Sequence, residues 1–190
     1  MLKTLYRVRA PARALLIWCG FLAALWVVFG IAYITHPQAW TEVSNVSRQS
    51  GWDVFGYIIG RNTVLLLIIA AGNLFVRFGS ITPGIIILVV QAVIIGWTAG
   101  TNGFMEPFPS VAQANAAFLR IGLWETTAYA LICAVTLPKS LLVASTFPAK
   151  VWDQQRSLKD IRFTKTEWLI AAAALLCLLG AAYVEAFYPI

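Results

Sequence analysis

Five runs of mostly apolar residues divide the 190-residue chain, and each is long enough to cross a lipid bilayer as a helix. Hydrocarbon offers no partner to an unpaired backbone group, so a long apolar run of this kind favours an α-helix. Only 12% of the residues are charged, whereas soluble domains have about a quarter. The sequence therefore predicts an all-α, polytopic transmembrane helical bundle that forms a single membrane domain over residues 1–190. The predicted spans cover approximately residues 14–34, 54–76, 83–100, 114–137 and 167–188.

The first run resembles a signal peptide, because basic residues precede it. It has about 21 residues, however, whereas the apolar part of a signal peptide has about 7–15. Its far end, Tyr33-Ile-Thr-His-Pro, has no small-x-small cleavage pattern. We therefore interpret this run as a retained first helix.

Lysines and arginines are distributed very unequally among the segments that connect the runs. Eleven lie on one side: four before or at the start of the first run, Arg77, and six between residues 139 and 166. Arg48 alone lies on the other side, and Arg61 and Arg120 lie within runs. Since segments rich in Lys and Arg remain in the cytoplasm, the pattern predicts a cytoplasmic N-terminus and a C-terminus on the far side.

Four ionisable residues fall within the predicted spans, where hydrocarbon makes a charge costly. They are Arg61, Arg120, Glu125 and Glu185. With a helical rise of about 1.5 Å per residue, Glu125 should lie near the midplane and the other three in the outer leaflet. The alternative is that those three side chains extend to the outer interface.

Each of these charges needs a polar neighbour on another helix. We expect Arg61 to pair with Glu185, which would join the second span to the fifth. We expect Glu125 to accept a hydrogen bond from Asn62 or Asn73, or to be protonated as a result of its burial. With Arg120, these residues form the predicted intramembrane polar cluster. An ion or proton relay through it is a further alternative.

Small residues spaced four apart let two membrane helices approach closely. Gly56 and Gly60 have this spacing in the second span, and Gly96 and Gly100 have it in the third. Both pairs are candidate helix contacts.

The segment between the fourth and fifth spans, residues 139–166, is basic and partly amphipathic, and we call it the basic segment. The residues expected to contact a partner or lipid headgroups are Lys150, Trp152, Arg156, Lys159, Arg162 and Lys165. Its charge is explained by topology and anionic lipid rather than by nucleic acid. Three conformations remain open for residues 138–150: an extension of the fourth helix, an interfacial stretch, or a return into the bundle.

Catalytic and metal-binding motifs are not found in the sequence. The single histidine, His36, lies outside the spans, and the chain has no Gly-x-Ser-x-Gly, His-Glu-x-x-His or phosphate-binding loop. The three cysteines lie inside apolar runs without the spacing of a metal site. We therefore expect a protein that is not an enzyme and binds no cofactor or metal.

Three stretches of the chain resemble the stage II sporulation protein M family over residues 55–190. The C-terminal letters AAYVEAFYP (181–189) are similar to that family's ending, which includes Glu185. The letters GLWE (122–125) resemble its His-Gly-x-x-Glu motif, although Ile121 stands at the usual position of the histidine. Arg61-Asn62 and the turn at 79–84 resemble its second span and its Gly-rich turn, and Gln91 stands roughly where an Asn-Gly pair is usual.

The resemblance implies a five-span protein of a bacterial or archaeal cytoplasmic membrane that acts without catalysis. The first functional expectation is a scaffold or accessory subunit that holds other membrane proteins in a complex. A second is a permease-like accessory subunit of an ABC-type exporter or of a bacteriocin export or immunity system. A third, from the polar cluster, is a small ion or solute transporter. Whether the chain forms a homo-oligomer stays open.

Overall fold

The computed structural model describes residues 2–40 and 50–188, so Arg48 and Pro189 lie outside the described residues. Five helical spans are long and apolar enough to cross a membrane, which indicates a multi-pass membrane protein. Four are single helices, and the fourth span, Val111–Lys139, is built from three helical pieces and a short 3-10 turn. The helices are α2 (Ala10–Thr35), α3 (Trp52–Phe75), α4 (Pro83–Gly100), α5 (Val111–Ala117), a π-helical segment (Phe118–Gly122), α6 (Leu123–Thr136) and α7 (Lys165–Phe187).

Shorter elements connect the spans. They are helix α1 (Leu2–Leu5), 3-10 turns at Pro37–Trp40, Leu137–Lys139 and Leu158–Asp160, and strands β1 (Val76–Phe78), β2 (Leu142–Ala144) and β3 (Asp153–Gln154). Strand β2 lies between the other two, parallel to β1 and antiparallel to β3. The chain is mainly helical, as predicted, and this small sheet is an addition that the sequence did not indicate, because β1 and β2 come from segments that are distant in sequence.

Helix α6 lies at the centre of the bundle. It packs against α2, α3 and α7, while α4 packs against α2 and α3. Small side chains let its neighbours approach closely, and Ala128, Ala130 and Ala134 are completely buried. By contrast, α3 has many large apolar side chains exposed, as expected of a helix that faces lipid.

The two predicted glycine pairs have different outcomes. A Cβ atom at Gly96 would lie 2.4 Å from the carbonyl oxygen of Leu25, and one at Gly100 would lie 2.5 Å from that of Phe29. These glycines therefore allow α4 to pack directly on the α2 backbone, as the spacing predicts. A Cβ atom at Gly56 or at Gly60 would meet nothing within 4 Å, so the prediction for that pair is wrong within this chain.

Pro83 occupies the first position of α4, where a missing N–H costs nothing. The Thr82 hydroxyl accepts a hydrogen bond from the Ile85 N–H and caps the helix. A Cβ atom at Gly84 would lie 2.4 Å from the carbonyl oxygen of Ile69, and one at Gly72 would lie 2.6 Å from the Gly84 nitrogen. The close crossing of α3 and α4 therefore depends on two glycines that the spacing rule does not select.

Candidate functional site

The π-helical segment interrupts the fourth span just before the candidate site. Such an insertion changes which side chains face the bundle, and it often occurs at functional positions. The Thr126 hydroxyl donates to the Gly122 carbonyl at 2.8 Å, and the Thr127 hydroxyl donates to the Leu123 carbonyl at 2.6 Å. These bonds satisfy carbonyl oxygens where the helix changes its pitch, and the next turn places Glu125 toward the bundle interior.

Glu125 lines two adjoining cavities, of about 560 Å³ and about 450 Å³. They also share Tyr57, Ile58, Ile95 and Glu185. The larger cavity extends along apolar and aromatic side chains of α2, α4 and the loop after α4. The smaller one adds polar groups, which are Arg61, Asn62, Gln91 and Tyr129.

The predicted hydrogen bond to Glu125 is confirmed for one of its two candidate donors. The Asn62 side-chain amide donates to Glu125 Oε1, which links α3 to α6. Arg61 and Glu185 line the same cavity, but the ion pairs within 4.0 Å among the described residues do not include this predicted pair. They are Arg13–Glu167 and Lys139–Glu167.

Arg120 lies apart from the cavities. Its side chain is exposed, and it does not appear among the residues that line either cavity. Among residues 2–40 and 50–188, it has no hydrogen bond and no ion pair. This placement favours the alternative in which the guanidinium extends to the membrane interface. The predicted polar cluster therefore contains Arg61, Asn62, Glu125 and Glu185, without Arg120.

Asn73 belongs to a second polar network, nearer the end of the bundle that carries β1. Its amide nitrogen donates to the Thr136 hydroxyl at 2.9 Å and to the Cys133 carbonyl at 3.2 Å. Its amide oxygen accepts from the Thr82 hydroxyl at 2.5 Å, and its backbone carbonyl accepts from the Ser140 hydroxyl at 2.8 Å. Asn73 is fully buried, and it joins α3, α4 and α6 instead of contacting Glu125.

The charge with the most partners is one that sequence reasoning missed. Glu167 caps the start of α7 by accepting from the backbone N–H of Thr164 at 2.9 Å. Its carboxylate also lies 3.4 Å from Arg13 Nη2 and 2.9 Å from Lys139 Nζ. Arg13 donates from Nε to the Ala134 carbonyl at 2.6 Å, so one buried carboxylate connects α2, α6 and α7. The signal available in the sequence was the capping-box spacing of Thr164 and Glu167.

Tyr6 and Arg77 form another contact at the same end of the bundle. The Arg77 guanidinium lies 4.5 Å from the centre of the Tyr6 ring, and the Tyr6 hydroxyl donates to the Ser80 carbonyl at 3.3 Å. Burial raises the pKa of the Tyr6 hydroxyl, although the nearby positive charge of Arg77 opposes this effect. The N-terminal tail is therefore attached to the turn between α3 and α4.

The basic segment is folded against the bundle rather than extended from it. Strand β2 pairs with β1, the Leu141 N–H donates to the Leu74 carbonyl at 2.7 Å, and the Gly79 N–H donates to the Ala144 carbonyl at 2.7 Å. Phe78 contacts the rings of Phe147 and Trp152 edge-on. Residues 138–150 thus leave the helix through a 3-10 turn and form a strand, a conformation that none of the three sequence alternatives included.

The outer surface of the basic segment combines positive charge with apolar side chains. Lys150, Lys159, Arg162 and Lys165 are exposed, Arg156 is half-buried and Trp152 is exposed. The side chains of Phe147, Val151 and Leu158 are 81%, 71% and 63% exposed. Hydrogen bonds from Ser157 hold the pKa of the Asp160 carboxyl below its ordinary value and close the local turn. Five of the six predicted contact residues are therefore exposed, and Arg156 is accessible in part.

Comparisons of the chain with family models, with curated proteins and with solved structures gave no match. The resemblance to the stage II sporulation protein M family therefore stays a prediction that rests on the motifs in the sequence. Within residues 2–40 and 50–188, no group of three His, Cys, Asp or Glu side chains could hold a metal ion. The two structural features that can carry a function are the cavity around Glu125 and the surface of the basic segment.

Proposed function

We propose that the protein is a non-catalytic scaffold or accessory subunit of a larger membrane complex and that its partner binds the basic segment. The proposed setting is a bacterial or archaeal cytoplasmic membrane, with the N-terminus and the basic segment in the cytoplasm. The resemblance to stage II sporulation protein M supports the same role. The observation that carries the proposal is the attachment of the basic segment to α3, to strand β1 and to the start of α7.

A loop whose only role was to fix the orientation of the protein in the membrane would need positive charge but no ordered contacts. The basic segment instead has a strand paired to β1, the contact of Lys139 with Glu167, and a capping box at Ser157. Fixing so many residues costs conformational entropy, which these contacts offset. A surface that is held in place in this way loses little further entropy when a partner binds.

The chemistry of the surface indicates the kind of partner. Its exposed lysines and arginines match acidic side chains, and Phe147, Val151 and Leu158 can fill apolar pockets on a facing protein. We therefore propose a protein partner with an acidic rim around an apolar centre. Anionic lipid headgroups are the competing explanation, because they also attract clustered lysines and arginines.

The experiment compares two variants that each lose three positive charges. One changes Lys150, Lys159 and Arg162 to glutamine in the basic segment, and the other changes Lys3, Arg7 and Arg9 to glutamine in the N-terminal tail. Each protein is purified from its native membrane in mild detergent, and its partners are identified by native mass spectrometry. We expect a stoichiometric partner with the unaltered protein and the tail variant, and its loss in the basic-segment variant.

Purification of the unaltered protein alone, or equal partner loss in both variants, would contradict the proposal. Recovery with an ATPase would identify the complex as an exporter and would support the accessory-subunit form of the proposal. Recovery with other membrane proteins would support the scaffold form.

A further inference from the structure

We infer that the cavity around Glu125 binds an amphipathic organic cation, a molecule that joins an amine or onium group to an apolar body. This inference goes beyond the scaffold role and does not depend on it, because the cavity and the basic segment use different residues. It rests on the position of Glu125, on the apolar walls of the cavity and on the balance of charge along it.

The Glu125 carboxyl group lies within a span and has only a neutral hydrogen-bond donor. Asn62 is the donor, and no Lys or Arg nitrogen among the described residues lies within 4.0 Å of the carboxylate. A carboxylate at this depth is costly when no cation is in direct contact with it. A positively charged ligand group beside Glu125 would supply the missing cation and a charge-assisted contact.

The larger cavity offers room and apolar walls for the rest of such a ligand. Trp26 lies at its side, with ring centres 5.3 Å from Phe29 and 5.7 Å from Phe118 in edge-on contacts. Phe104 and Ile121 contribute further apolar surface. Sites for small molecules typically combine such walls with a few polar groups, and aromatic faces also attract organic cations.

The charge along the cavity favours a cation over an anion. Glu125 lines both cavities, whereas Arg61 lines the smaller one and is the one basic residue there among the described residues. Arg61 is exposed, so its guanidinium lies toward the edge of the smaller cavity rather than in its depth. An anionic ligand of the same shape would be repelled by the Glu125 carboxylate.

The test uses two probes with nearly the same shape and opposite charge, tetraphenylphosphonium and tetraphenylborate. The purified protein is placed in nanodiscs of neutral phosphatidylcholine, and binding is followed by isothermal titration calorimetry and by tryptophan fluorescence. We expect saturable binding of tetraphenylphosphonium alone. Trp26→Phe removes the indole at the side of the cavity and should reduce the fluorescence change.

Two variants of carboxyl residues test whether tetraphenylphosphonium binds at Glu125. Glu125→Gln should weaken tetraphenylphosphonium binding by about tenfold or more, as expected for the loss of one charge-assisted contact. Asp53→Asn removes a carboxylate from the exposed start of α3, outside both cavities, and should change the affinity by less than about twofold.

A second measurement uses the unaltered protein and so does not depend on the folding of a variant. Dicyclohexylcarbodiimide modifies carboxyl groups in apolar surroundings, and mass spectrometry reports its addition to the peptide that contains Glu125. Tetraphenylphosphonium should protect this peptide, and tetraphenylborate should not. Equal binding of the two probes, or binding that neither Glu125→Gln nor the protection experiment connects to Glu125, would overturn the inference.

Discussion

At the scale of single residues, the strongest constraint on the bundle is the carboxylate of Glu167. It accepts from the start of its own helix and contacts both Arg13 and Lys139, and the side chains of Arg13 and Glu167 are almost fully buried. A buried charge that loses its partner is strongly destabilising, because the remaining charge stays in a medium of low dielectric constant. Arg13 should therefore be far more sensitive to substitution than the other basic residues near the N-terminus.

We predict that Arg13→Met lowers the free energy of unfolding by about 3–5 kcal/mol, the usual cost of breaking a buried pair. Arg9→Met is the matched control, because Arg9 precedes the same helix and is exposed. Its effect should be below about 0.5 kcal/mol. Unfolding of both variants in mixed detergent micelles would be followed by circular dichroism. Equal stability of the two variants would show that the pair of Arg13 and Glu167 contributes nothing to the fold.

Asn73 provides a second prediction at this scale. Its side chain satisfies the Thr136 and Thr82 hydroxyls and the Cys133 carbonyl in a site without exposure. Asn73→Ala should therefore lower the free energy of unfolding by about 1–3 kcal/mol for each polar group left without a hydrogen bond. Rearrangement of the neighbouring side chains would reduce this loss. Asn115→Ala is the control, since the structure gives that side chain no hydrogen bond among the described residues. The same unfolding measurement compares the two variants, and an equally small effect for both would contradict a stabilising role of the Asn73 network.

Residue pairing was predictable only in part from the sequence. The bond between Asn62 and Glu125 followed from the residue types, but the sequence left Asn62 and Asn73 as alternative donors. The contact of Arg13 with Glu167 joins residues 154 positions apart. It depends on how the helices are arranged around α6, which local patterns do not encode. For the same reason, similar depth wrongly suggested that Arg61 pairs with Glu185.

At the scale of elements, the packing of α4 on α2 depends on glycine. The carbonyl oxygens of Leu25 and Phe29 occupy the space where side chains of Gly96 and Gly100 would begin. Spacing alone suggested the same role for Gly56 and Gly60, where the structure has open space. A spacing rule identifies the residues that could allow a close approach, and the order of the helices decides which of them do.

The two glycine pairs predict effects of opposite sign. Gly96→Ala should destabilise the protein, because its Cβ atom would overlap a backbone oxygen that has no room to move. Gly56→Ala should stabilise it by up to about 1 kcal/mol, since alanine favours a helix and meets no neighbour. Melting temperatures of both variants in one detergent would provide the comparison. A loss of stability in Gly56→Ala would indicate that this face packs against a second molecule.

The basic segment contains a strand that the sequence did not predict. Its composition predicted a basic and partly amphipathic segment, and capping signals occur within it at Ser157 and Asp160 and at its end at Thr164 and Glu167. Strand β2 has only three residues, and its partner β1 lies in the turn after α3. Such a short parallel pair has no alternating pattern long enough to be recognised, so the sheet becomes apparent only in the folded chain.

At the scale of the whole molecule, the apolar runs predicted the long helices to within a few residues. The third predicted span coincides with α4, and the fifth differs from α7 by two residues at its start. The reason is physical, because the length of an apolar run and a proline or polar residue at its end determine where a membrane helix can stop. The polar cavity was less predictable, since it depends on the π-helical segment in the fourth span.

The orientation of the molecule is the last prediction, and it rests on the unequal distribution of Lys and Arg. Single cysteines in a variant without the native ones would report it, at Lys3 and Lys159 on one side and at Met105 on the other. All three positions are exposed. A membrane-impermeant maleimide added to intact cells should label Met105→Cys alone, and Lys3→Cys and Lys159→Cys should react only after the membrane is opened. The reverse pattern would place the basic segment outside the cell, where a cytoplasmic partner could not reach it. Labelling of Lys3→Cys and Lys159→Cys from different sides would contradict the five-span arrangement, because four spans separate these positions and bring them back to the same face.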